Sequence, residues 1–87
     1  MLTDFRLKVF LTTAQQKSFT KAARELNISQ PAVSQNVAEL EQQVGDTLFE
    51  RGRGEVTLTQ KGEILLKYAE KILHLYDNLN TELIPSN

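Results

Sequence analysis

Cysteine is absent from this 87-residue sequence, which excludes a disulfide framework and any thiolate metal site. Histidine occurs once, at His74, and a lone imidazole cannot assemble a zinc site without several carboxylates arranged around it. No metal or other cofactor is therefore expected. Long apolar runs are missing too, so nothing suggests a membrane partner, and the opening residues MLTDFRLK lack the apolar stretch of an export signal. A cytoplasmic location is the expectation. No nucleophile–base pair, metal cluster or phosphate-cradling loop is visible, so neither catalysis nor a small-molecule site is expected. One small domain is what this length supports, and so short a chain buries a modest fraction of its surface, which favours an oligomer.

What is present begins with residues 18–35, SFTKAARELNISQPAVSQ. Ala22, Ala23 and Leu26 recur at helical spacing, Asn27 suits the left-handed conformation of a tight turn, Ile28 plugs the corner, and Ser29 caps a new helix. Helices joined by so few residues must cross closely, which small Ala22 and Ala23 permit. The pattern is a helix-turn-helix, the arrangement that presents a helix to the DNA major groove. Ahead of it, residues 3–16 carry Leu7, Phe10, Leu11 and Ala14 at three- and four-residue steps, with Arg6, Lys8, Gln15 and Gln16 outward, and predict a supporting helix. Lys17 and Ser18 break it, Ser18 or Thr20 caps the next helix, and Phe19 enters the core.

The helix launched at Ser29 has Pro31 in its first turn and stops at Gly45. Val33, Val37, Leu40 and Val44 fall on one stripe, which predicts a core face. Pro31, Gln35, Ala38 and Gln42 lie opposite, flanked by Ala32 and Ser34. Leu48 and Phe49 follow as anchors, and ERGRGEVTLT combines a glycine-flanked turn with alternation at Val56 and Leu58, predicting a β-hairpin wing. Thr59 caps a last helix whose apolar residues Leu65, Ala69, Ile72, Tyr76, Leu79 and Leu83 form one stripe. Leu66 and Leu73 widen it on one side, Tyr68 and Leu75 on the other. So broad a face predicts that half packs on the chain's own core and half meets an identical helix of a second chain. Pro85 ends that helix.

Net charge is −1, where a nucleic-acid-binding domain is usually basic. The distribution matters more than the sum. Residues 1–24 hold Arg6, Lys8, Lys17, Lys21 and Arg24 against Asp4 alone, Arg51, Arg53 and Lys61 form a second basic group, and residues 27–50 contain no Lys or Arg. A bipolar molecule with one phosphate-facing side is consistent with this pattern.

The order of these segments, SFTKAARELNISQPAVSQNVAELEQQVG, then LFERGRG and LTQKG, resembles the amino-terminal DNA-binding domain of LysR-type transcriptional regulators over nearly the whole chain. The resemblance implies a mostly α fold: a winged helix-turn-helix with a three-helix core and short hairpin over residues 1–58, then a linker helix over residues 59–84 that pairs two chains. It also implies a larger domain that senses a small molecule. That domain is absent from this stretch, which is either a piece ending after the linker helix or a naturally short relative. In a longer parent a tetramer is also open. Carried over by motif, the family's contacting positions fall on Gln30, Pro31, Ala32, Ser34 and Gln35 in the reading helix and on Arg51 and Arg53 in the wing. Many relatives have an arginine where Gln35 stands, and another where Gly54 stands, with Arg53 one position early.

The chemistry of these residues agrees with that placement. Gln30 or Gln35 can pair bidentately with an adenine edge, Ser34 can bond a base or phosphate, and Ala32 can touch a thymine methyl. Any one alone is more simply a solvated helix residue; together, at the start of this helix, they point to readout. Ser18, Thr20, Lys21 and Arg24 lie where the crossing helix approaches the backbone, although capping alone would equally explain Ser18 or Thr20. Arg51 either meets DNA or holds the wing to the body through Glu50 or another acid, which leaves Arg53 the favoured minor-groove contact. Glu39 and Glu41 suit structural or repulsive roles, and His74 is given none. The expected function is sequence-specific binding of double-stranded DNA as a homodimer on an interrupted palindrome. The competing reading is a winged-helix protein-interaction module with little or no DNA affinity.

Overall fold

The computed structural model describes residues 2–52 and 54–84. Four helices and a two-stranded sheet follow in the order α1 (Phe5–Gln16), α2 (Phe19–Leu26), α3 (Gln30–Val44), β1 (Phe49–Arg51), β2 (Val56–Leu58) and α4 (Gln60–Leu83). Pro85, expected to end the last helix, lies outside the described residues.

Each helix starts where a short polar side chain can accept from an orphan amide. Asp4 accepts from the Leu7 N–H at 3.2 Å, so α1 begins at Phe5 rather than at residue 3. Ser18, not Thr20, caps α2 by accepting from the Lys21 N–H at 3.1 Å. Ser29 and Thr59 accept from Ala32 and Gly62 in the same way. The stops are left-handed residues: Lys17 at φ +54° and Asn27 at φ +58°, and Gly45 at φ +82° after α3. Lys17 holds a conformation that costs a non-glycine residue on the order of 1 kcal/mol, and it gains there a bond from its own N–H to the Thr13 carbonyl at 2.8 Å. Asn27 lets Ile28 turn back so that its N–H reaches the Ala23 carbonyl at 3.0 Å. The whole α2–α3 turn is three residues long.

The core is one cluster. Val9, Phe10, Ala22, Val33, Leu48 and Ala69 are wholly enclosed, and Leu7, Phe19, Ala23, Val37, Leu40 and Phe49 complete it. α1 contributes more than the expected stripe: Val9, Thr12 and Thr13 are buried beside Leu7 and Phe10, because α2, α3 and α4 all pack on this one helix. Thr13 satisfies its hydroxyl by donating to the Val9 carbonyl at 2.8 Å. Val44, expected on the core face of α3, is instead 41% exposed, because the core covers the helix only as far as Leu40, one turn earlier.

The hairpin is antiparallel, with Phe49 opposite Leu58, Glu50 opposite Thr57 and Arg51 opposite Val56. It is tied into the body at β2 and just ahead of β1. The Val56 N–H donates to the Lys17 carbonyl at 3.1 Å, and the Leu48 N–H to Glu41 Oε2 at 2.8 Å. Thr59 then links hairpin to helix: its N–H donates to the Leu48 carbonyl and its hydroxyl to the Thr47 carbonyl.

α4 is built into the same body. Gly62 sits against the Leu48 backbone so closely that a Cβ would collide with the Leu48 carbonyl oxygen and lie 2.9 Å from Leu58 Cδ2. Ala69 is fully buried and Leu65, Leu66 and Leu73 pack on the core. Ala69, expected on the pairing face, therefore belongs to the interior of its own chain, on the side of α4 that packs along α1 and approaches Leu48 at Gly62. Among the described residues, no helix is long and apolar enough to cross a membrane.

Candidate nucleic-acid interface

The first two turns of α3 carry Gln30, Pro31 and Gln35 exposed, with Ala32 and Ser34 half-buried beside them. Val33 and Val37, on the opposite side, are locked into the core. The helix is thus anchored by one face and displays the other. Its outward residues are held in place locally: Gln30 Nε2 lies 3.5 Å from the Ser34 hydroxyl, and Asn36 Nδ2 donates to the Ala32 carbonyl at 2.8 Å. No acidic side chain occupies the first turn, so nothing there cancels the positive end of the helix dipole, an arrangement suited to an anion such as a phosphate.

The two acids further along α3 are occupied elsewhere. Glu39 pairs with Arg6 of α1 at 3.3 Å, and Glu41 accepts from the Leu48 amide. Both therefore hold α3 to neighbouring elements, and neither stands at the helix start.

A second group forms around the start of α2. Ser18 is half-buried as the cap, while Thr20, Lys21 and Arg24 are exposed. The Arg51 guanidinium lies 4.4 Å from the centre of the Phe19 ring, a cation–π stack that ties the wing to the body through an aromatic ring rather than through Glu50 or another acid. Phe19 is itself wedged edge-on against Phe49, ring centres 5.8 Å apart, and Phe49 against Phe10 at 5.2 Å. Three core aromatics thus end in a platform for Arg51, which brings the end of β1 beside the first turn of α2. Stacking leaves the edge of the guanidinium free to donate hydrogen bonds. Phe19 as a platform was not readable from the sequence beyond its place at the helix entry. Arg53 lies outside the described residues.

α4 presents a second exposed surface of different chemistry. Ile72, Leu79 and Leu83 of the expected pairing set are exposed, Leu65 and Tyr76 are half-buried, and Ile64, Tyr68 and Leu75 join the exposed group. Ile72, Leu75, Tyr76 and Leu79 line a shallow apolar hollow. Lys67 and Lys71 each place Nζ 5.7 Å from the centre of the Tyr68 ring.

Comparison with known proteins fits this geometry. The HTH-type transcriptional regulator CfxR of Cupriavidus necator is 50% identical over 72 residues, which is 83% of this chain and 23% of that protein. A probable RuBisCO transcriptional regulator of Porphyra purpurea is 44% identical over 80% of this chain and 22% of its own length. The chain thus spans less than a quarter of these curated relatives, which are transcriptional regulators. Among solved structures, the BenM DNA-binding domain in complex with benA site 1 DNA superposes with a TM-score of 0.87 at 34% identity, covering 94% of this chain and 92% of that one. The CbnR DNA-binding domain in its DNA complex gives 0.86 at 30% identity, covering 93% of each. Residues 5–63 match the family of bacterial regulatory helix-turn-helix proteins described as lysR, and the chain belongs to that family.

Proposed function

We propose that this chain is the DNA-binding module of a LysR-type transcriptional regulator, reading double-stranded DNA as a homodimer in the cytoplasm. The observation that carries the reading is α3: a helix fixed by Val33 and Val37 whose opposite face offers Gln30, Ala32, Ser34 and Gln35, all without charge, at its free amino-terminal end. Glutamine amides match adenine edges and Ala32 suits a thymine methyl, so these side chains specify sequence. Pro31 sets the backbone of the first turn beside them. Ser18, Thr20, Lys21, Arg24, Arg51 and Arg53 supply contacts to the sugar-phosphate backbone and groove edge, and with them the affinity that α3 lacks. The similarity to two DNA-binding domains solved with DNA supports the assignment.

The partner of the apolar face of α4 is a second copy. Ile64, Tyr68, Ile72, Leu75, Leu79 and Leu83 are spaced four, four, three, four and four residues apart, a coiled-coil-like seam that a single body leaves open. That spacing reads the same in both directions. Antiparallel pairing would set Ile64 against the partner's Leu83, Tyr68 against the partner's Leu79, and Ile72 against the partner's Leu75. It would also bring Lys67 and Lys71 of one helix toward Asp77 and Glu82 of the other. The division between residues 1–58 and 59–84 is then one of role rather than of packing: α4 closes the core with its inner face and pairs with its outer one. In a parent of the relatives' length, an effector-sensing domain would follow, and a tetramer becomes possible.

Titration of binding against salt tests the reading. Binding to a duplex should weaken steeply, by orders of magnitude between about 50 and 200 mM salt, as counterions are recaptured by phosphates. Failure to bind any duplex at low salt would overturn it and favour a protein-interaction role.

A further inference from the structure

Asn80 is 5% exposed, the one buried side-chain amide among the described residues. Its Oδ1 accepts from the Leu2 N–H at 2.9 Å, and its Nδ2 donates to the Leu2 carbonyl at 2.7 Å. One amide thus engages both backbone groups of one residue 78 positions away, as a neighbouring strand would. Leu2 is 51% exposed, so the two hydrogen bonds of the amide add a hold that its partial burial does not supply.

The position of the clamp gives it leverage. Ala69, Leu73 and Asn80 lie along the inward side of α4, but the core ends at Leu73. At 1.5 Å per residue, α4 is seated on the body over about 16 Å from Gly62 to Leu73, and Asn80 lengthens that to about 27 Å. A rod gripped over a longer span tilts less for the same looseness at each end. α4 is also the pairing helix, so any tilt of the body on α4 moves one reading helix relative to the other. Changing the separation of two half-sites by one base pair moves them about 3.4 Å along the duplex and turns them by about 35°.

We infer that the Asn80–Leu2 clamp fixes the tilt of each winged body on α4 and thereby sets which half-site spacing the homodimer accepts. This rests on the DNA-binding dimer proposed above. Asn80 is a positioning residue: it touches no DNA, and it acts through the N-terminal segment and α4.

The test compares the wild-type chain with Asn80→Ala, Leu2→Pro and the double variant. Pro at position 2 removes the amide hydrogen while replacing an exposed side chain, so it serves even if Asn80→Ala proves unstable. Each is titrated against a duplex bearing a single half-site and against duplexes whose two half-sites are separated in one-base-pair steps. Asn80→Ala should reduce the preference for the best spacing over its neighbours by about fivefold, the scale of one to two net hydrogen bonds, and leave single half-site binding within about twofold. Leu2→Pro should act in the same direction with a smaller effect, and the double variant should lose no more than Asn80→Ala alone. An unchanged spacing profile, an equal loss at every spacing, or losses that multiply in the double variant would overturn the inference. Normal binding with an unchanged profile defeats the clamp alone, whereas a wild-type chain that binds no duplex defeats the DNA-binding reading with it.

Discussion

α3 and α4 both spend one face on the same core and leave the other open, yet the open faces differ in chemistry. That of α3 is neutral and rich in amides, with Gln30, Ser34 and Gln35 around Pro31 and Ala32. That of α4 is a row of large apolar side chains, with Leu75 63% and Leu83 60% exposed. Water tolerates the first surface and not the second, so the first suits a polar partner engaged reversibly and the second a partner that excludes water. The contrast teaches that a helix declares its partner by what remains after the core has been satisfied.

Breaking the inner face of α4 should have the largest effect. Gly62→Ala drives a Cβ into the Leu48 carbonyl, a backbone group that cannot yield cheaply. Even after the gain in helix propensity, the loss of stability in urea denaturation should be about 2–3 kcal/mol. The outer face can be broken separately. Leu75→Glu with Leu79→Glu should convert the dimer to a monomer in sedimentation and weaken binding to a two-half-site duplex by about 100-fold. The folded monomer should change by no more than about 0.5 kcal/mol. A variant that stays dimeric would show that α4 pairs through another face.

The open face of α3 should answer differently. Gln35→Ala should cost about 1–3 kcal/mol at the base pair it contacts and relax preference there, leaving the salt dependence of binding unchanged. Below that comes the cap that launches the helix. Ser29→Ala should remove about 1 kcal/mol of stability without altering sequence preference, read by thermal denaturation beside selection. Smallest is Arg6→Met. Its bridge to Glu39 joins side chains 43% and 45% exposed, and its loss should register as less than about 0.5 kcal/mol.

The same contrast explains what was legible in the sequence. Caps and stops are local chemistry, so Ser18, Asn27, Ser29, Gly45 and Thr59 marked the helices, and residues 30–35 of α3 could be placed with them. The face of α4 was harder to orient. Its apolar residues cover more than half the helix, and packing on α1 together with the contact of Gly62 with Leu48 selects Ala69 for the interior and Ile64, Tyr68 and Leu75 for the surface. Val9, Thr12 and Thr13 escaped a one-stripe reading of α1 because three helices surround it. The stack of Arg51 on Phe19 and the hold of Asn80 on Leu2 join residues 32 and 78 positions apart, and no local pattern announces either.

The decisive experiment is selection of bound duplexes from a random pool, with the mass of each complex measured alongside. The expected result is two copies of the chain on an interrupted palindrome whose half-sites lie about 34 Å apart, one helical turn, or a multiple of it. A single copy bound without sequence preference would contradict it.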